Sequence, residues 1–95
     1  MHDNSMKVIW DPAKAETNFI KHKIRFSDAE QALFDSMALT TEDRSVEGEQ
    51  RFVSIGTDVL NRVVVVVYTY RGDDIRPISA RKATNRERKA YEEGI

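Results

Sequence analysis

The spacing of apolar residues changes near the middle of the chain, from a helical period up to Phe34 to a strand-like period of two from Met37 onward. Lys7-Val8-Ile9-Trp10 reads as a short first strand. It is closed by Asp11-Pro12, where Asp11 can cap a helix and Pro12 can occupy its first turn. The first helix then runs over Ala13–Lys23. Ala15, Phe19 and His22 fall on one stripe of it and Lys14, Asn18 and Lys21 on another, so one stripe packs and the other is polar. Ser27 and Glu30 have the spacing of a capping box and predict a short second helix ending near Asp35-Ser36. Ile24 and Phe26, between the helices, are expected to plug the core.

In the second half the predicted strands are Met37–Thr41, Gln50–Gly56, Val63–Tyr70 and Ile75–Arg81. Glu42–Glu49 forms an acidic turn region, Asp58–Arg62 a second turn, and Arg71-Gly72-Asp73-Asp74 a tight hairpin. Val63–Tyr70 is apolar on both faces and belongs in the middle of the sheet. Thr84 and Glu87 make a capping box for a C-terminal helix that passes Tyr91 and frays at Glu93-Gly94. The fold class is α+β: a small antiparallel sheet of about four strands plus a short N-terminal strand, packed with two N-terminal helices and one C-terminal helix. Residues 1–95 are expected to form a single domain, with 1–6 a flexible tail.

Composition narrows the chemistry. A chain of 95 residues has room for one core and none for a large cofactor-binding lobe. Zero cysteines exclude disulfide frameworks, thiolate metal sites and cysteine nucleophiles. Two distant histidines do not resemble a zinc site, and no metal or other cofactor is expected. The longest apolar run, Val63–Val67, is far below the roughly 20 residues that span a bilayer. Met1–Ser5 lacks a basic region followed by an apolar stretch, so no secretory signal is expected. Together with the missing cysteines this fits a cytoplasmic protein.

The 15 Lys and Arg against 16 Asp and Glu suggest neutrality, but the charges are segregated. Asp28–Gln50 carries seven acids and the single base Arg44, whereas Arg76–Lys89 carries six bases and the single acid Glu87. Exposed charges are screened over about 8–10 Å, so a basic pole can attract phosphate on a neutral molecule. Two solvated faces without a partner are the alternative.

Arg76 and Arg81, beside Arg86 and Arg88, form a guanidinium-rich stretch suited to bidentate contact with phosphate. Pro77 cannot donate to a sheet ladder and implies an edge or a bulge, which leaves the relative facing of Arg76 and Arg81 open. Either arginine can equally pair with Glu87 or another carboxylate. Glu87, Tyr91 and Ala83 share a helix stripe that faces the sheet, where Tyr91 either places a phenol near the basic strand or simply packs. His22 ends the first helix and is of the residue type that exchanges protons near neutral pH, although a lone histidine there can be structural.

Trp10-Asp11-Pro12-Ala13-Lys14, Asn18, Lys21-His22, Phe26 and Ala29 resemble the opening of the BrnT family of type II toxin–antitoxin ribonuclease toxins. Arg51-Phe52, Ile55-Gly56, Val67-Tyr68-Thr69, Ile78-Ser79-Ala80-Arg81-Lys82-Ala83-Thr84, Glu87-Arg88 and Tyr91 resemble its second half, so the likeness spans about Val8 to Tyr91. It implies a RelE-like toxin that cleaves RNA without a metal. It also implies a BrnA-type antitoxin with a ribbon-helix-helix segment, and contact with operator DNA only through the complex. Lys23 departs from the glycine that commonly follows the family's Lys-His pair, and Pro77 from an aliphatic strand residue. On this reading Arg51, Arg76 and Arg81 stabilise charge at a scissile phosphate, Lys21, His22 and Tyr91 are candidates for proton transfer, and Lys82, Arg86 and Arg88 contact RNA. A non-catalytic interaction module using the basic C-terminal surface is the alternative. DNA binding by this chain alone is disfavoured by the lack of a helix-turn-helix.

Overall fold

The computed structural model describes residues 7–45 and 47–94; the tail expected over 1–6 lies outside them. Helix α1 spans Pro12–His22, opened by Asp11, whose Oδ1 accepts from Ala13 N at 2.9 Å. It ends on Lys23 in the left-handed conformation, φ 61°. Helix α2, Phe26–Ala29, continues directly into a 3-10 helix over Glu30–Phe34. The helix begins at buried Phe26 with Arg25 as its cap, so Ser27 already lies inside the first turn and makes no capping box.

Strands β1 (Leu39–Asp43), β2 (Arg51–Thr57), β3 (Val63–Arg71) and β4 (Asp74–Lys82) form an antiparallel meander in the order β1-β2-β3-β4. The first strand starts two residues later than its composition suggests. Asp35 Oδ1 accepts from Met37 N at 2.9 Å and ties that segment into a turn. The expected N-terminal strand is reduced to a single parallel bridge between Val8 and Ile75 on the outer edge of β4. Helix α3, Asn85–Glu93, opens with the Thr84–Glu87 capping box and closes on Gly94 at φ 72°.

The core lies between one sheet face and the N-terminal helices. Val64, Val66, Tyr68, Ile75 and Ala80 pack there against Ile24, Phe26, Ala29 and Ala32. Gly56 permits the closest approach, since a Cβ on it would stand 2.5 Å from the Ala32 carbonyl oxygen. Buried polar groups are partnered: Ser54 Oγ lies 2.8 Å from Thr40 Oγ1 and 3.1 Å from Tyr68 OH. Asp58 shapes the β2–β3 turn by accepting from Leu60 N, Arg62 N and Arg62 Nε. Helix α3 lies on the opposite face, where Tyr91 reaches Thr57 of β2 and Glu87 reaches Arg81 of β4; Val65, on that face of β3, is only 1% exposed and stands outside the main core. Among the described residues no helix is long and apolar enough to cross a membrane.

Candidate active site

The outer edge of β4 determines the site. Ala80 on that edge receives a side chain in place of another strand: its N–H donates to Asn18 Oδ1 at 3.0 Å and its carbonyl accepts from Asn18 Nδ2 at 2.9 Å. Asn18 Nδ2 also donates to the Ile24 carbonyl at 2.9 Å, so the amide staples both ends of this seam. The polar stripe of α1 is therefore the one held against the sheet edge, with Asn18 buried between Lys14 and Lys21.

A register shift on β4 sets the facing of the arginines. Ser79 pairs with Val67 and Pro77 with Tyr68, leaving Ile78 as an extra residue. A strand alternates faces at each step, so Arg76 and Arg81, five positions apart, would lie on opposite faces without the bulge. With it, Arg76 opposite Thr69 and Arg81 opposite Val65 share the face that α3 partly covers. Arg51 reaches the same face from β2, two residues before Val53, which pairs with Val67.

Two adjoining hollows result. The larger, ≈ 320 Å³, lies between α1 and β4 and is lined by Lys14, Asn18, Lys21, His22, Ile78 and Ser79 among others. The smaller, ≈ 120 Å³, includes Lys14, Arg51, Thr69, Arg71, Arg76 and Ile78 in its walls. Lys14 and Ile78 belong to both. Two carboxylates, Asp11 and Glu49, border the smaller hollow. Asp11 is occupied as the α1 cap and Glu49 Oε1 accepts from Arg51 Nε at 3.0 Å. Arg76, Arg71, Lys14 and Lys21 form no ion pair among the described residues. Nor do three His, Asp or Glu side chains gather there as a metal-binding group. Such a concentration of donors suits an anion whose oxygens need several contacts at once.

Arg81 and Tyr91 lie outside both hollows. Arg81 makes a bidentate pair with Glu87, at 2.8 and 2.9 Å. Hydrogen bonds from Arg81 hold the Glu87 carboxyl down to about 2, and the same contact raises Arg81. The Tyr91 hydroxyl donates to Asp35 Oδ2 and lies 2.9 Å from Thr57 Oγ1. The Asp35 contact raises the Tyr91 phenol and lowers the carboxyl in return. Lys82, Arg86 and Arg88 are exposed at the end of β4 and on α3, away from the hollows.

A family model described as "Ribonuclease toxin, BrnT, of type II toxin-antitoxin system" matches residues 10–87. The chain belongs to the BrnT family. Its fold is similar to that in the crystal structure of the Brucella abortus ribonuclease toxin BrnT, with a TM-score of 0.65 and 25% identity over 85% of this chain and 100% of that one. A comparison with curated proteins gives no match. Membership of the BrnT family makes RNA the substrate class and an antitoxin the partner.

In this BrnT-family chain the structure brings Lys21 and His22 to one hollow and Arg51 and Arg76 to the other. Lys14 and Arg71 join them without having been singled out by composition. The signal for Lys14 was its stripe with Asn18 and Lys21, because a lysine one turn from a buried asparagine cannot be far from what that asparagine binds. Arg71 had no comparable signal, since it ends a strand at a hairpin.

Proposed function

We propose that the chain is a metal-independent endoribonuclease toxin that holds the RNA backbone across the two hollows and is neutralised by a BrnA-type ribbon-helix-helix antitoxin. The RNA 2′-hydroxyl attacks the adjacent phosphorus, its proton passes to a base, and the 5′-oxygen leaves with a proton. The products are a 2′,3′-cyclic phosphate and a 5′-hydroxyl. Arg76 and Arg51 neutralise charge that grows on the non-bridging oxygens, doing with fixed guanidinium groups what a divalent cation does in other nucleases. Lys14 bridges the two hollows and fixes the backbone. His22, beside Lys21, exchanges the protons, a task unsuited to arginine with its pKa above about 12. Arg81 and Tyr91 act on this reading by holding α3. The antitoxin covers the same basic surface, the complex alone contacts operator DNA, and the toxin acts in the cytoplasm.

The observation that carries the reading is the convergence of five Lys and Arg side chains and His22 on adjoining hollows in which, among the described residues, Arg51 alone of the five is ion-paired. Purified protein is expected to cleave single-stranded RNA in EDTA and leave cyclic or 3′-phosphate ends; abolition by the chelator would overturn the metal-independent step. Arg76→Ala should lower kcat by about 10²–10³-fold, as loss of one preorganised donor does, without moving the thermal midpoint. Arg81→Ala should instead lower the midpoint more than the turnover. Addition of the neighbouring ribbon-helix-helix protein should suppress cleavage.

A further inference from the structure

On the far side of α1 lies a third hollow, ≈ 370 Å³, walled by Trp10, Phe19 and Phe26 and bordered by Glu16, Ile20 and Arg25. Trp10 is a wall of this hollow and of the small arginine-lined one, so the two adjoin at that residue. The Trp10 ring meets Phe26 edge-on, with centroids 6.0 Å apart and planes at 72°. The Arg25 guanidinium lies over the Phe19 ring, 4.2 Å from its centroid, and Lys23 Nζ stands 5.9 Å from the same ring. Arg25 is exposed and forms no ion pair among the described residues. Ile20, on the rim, is 64% exposed.

We propose that this hollow is a subsite for an unpaired nucleobase of the RNA, a short step along the strand from the scissile phosphate. The inference rests on the ribonuclease reading above and extends it. Three observations point to a base as the occupant. The hollow shares one wall residue, Trp10, with the place assigned to the backbone, so the two are neighbours on the surface. Its walls are aromatic, and a guanidinium set over an aromatic ring offers its outer side for stacking, as base-binding proteins use both surfaces. Its border carries the guanidinium of Arg25 beside the carboxylate of Glu16, a donor and an acceptor for the edge of a base, and Lys23 Nζ, 5.9 Å from the Phe19 ring, adds a second positive charge near the accompanying phosphate. A base paired in a duplex cannot enter, so the subsite selects single-stranded or looped RNA.

The test uses uncleavable 2′-O-methyl oligoribonucleotides of two, four and six nucleotides, titrated by anisotropy and by the fluorescence of Trp10, the sole tryptophan. Affinity is expected to rise about tenfold as the strand becomes long enough to seat one more base, with Trp10 emission quenched at that length. Phe19→Ala and Arg25→Ala should each cut that gain to less than threefold. Lys89→Ala, which also removes one positive charge but on α3, should keep it. Arg25 is exposed, so its variant reports even where loss of the Phe19 ring disturbs folding. An undiminished gain in both variants overturns the subsite while leaving the cleavage mechanism intact. A wild-type chain that neither cleaves RNA nor binds any of the strands overturns both.

Discussion

Lys23 closes α1 in a conformation that costs a side-chain-bearing residue about 1 kcal/mol, because its Cβ crowds the backbone. Its N–H nevertheless donates to the Phe19 carbonyl at 2.8 Å, so the helix ends where it must for Ile24 to enter the core. Lys23→Gly should therefore raise unfolding free energy by about 0.5 kcal/mol, the relief of strain being partly offset by a freer unfolded chain. Urea denaturation would register it as a higher midpoint with an unchanged slope. A lysine in that place was visible in the sequence as a departure from glycine; that the left-handed turn would be kept regardless was not. The same limit applies to the arginines. Nothing in the order of residues says that Arg81 finds a bidentate carboxylate while Arg76 pairs with none among the described residues, because that depends on the extra residue at Ile78 and on where α3 lands.

Helices and strands were legible wherever a local rule dominates. The Thr84–Glu87 capping box, the hairpin at Gly72 and the valine-rich centre of the sheet all form from neighbours in sequence. The Ser27–Glu30 pattern failed because burial of Phe26 sets the helix start earlier than the cap would. The α1–β4 seam was hidden for a different reason: an asparagine on a polar stripe looks like a solvated residue until a strand edge lacking partners is brought to it. Asn18→Ala leaves Ala80 N, Ala80 O and Ile24 O without that amide, and should cost about 2–3 kcal/mol, measured by chemical denaturation. Helix α3 is held differently. It has no buried residue and rests on the Arg81–Glu87 and Tyr91–Asp35 contacts. The Glu87 carboxyl drops from 4.5 to about 2 on folding, so its contribution is full above pH 4.5 and fades as pH falls toward 2. Asp35, also lowered, acts in the same direction. Glu87→Gln should lower the thermal midpoint at neutral pH and flatten its fall between pH 4.5 and 2, followed by circular dichroism.

At the scale of the molecule, a net charge of −1 coexists with a basic cleft, because of the seven acids of residues 28–50, which lie from α2 through β1 and the loop after it, only Glu49 borders the two hollows. Binding of RNA should then involve few phosphates. With about three neutralised, log affinity should fall with log salt at a slope of about −2 for a single strand; a much steeper slope would mean contacts well beyond the cleft. The seam between Asn18 and Ala80 joins residues 62 positions apart, and this has a temporal meaning. During synthesis α1, with Lys14, Lys21 and His22, emerges well before Arg76 and the edge it is stapled to. At elongation rates of about 5–20 residues per second the delay across those 62 residues is roughly 3–12 s. A chain broken off before Asp74 lacks β4, and with it Arg76, Ile78, Ser79 and the edge that holds Asn18, so on the proposed reading the cleft is assembled only when synthesis is nearly finished.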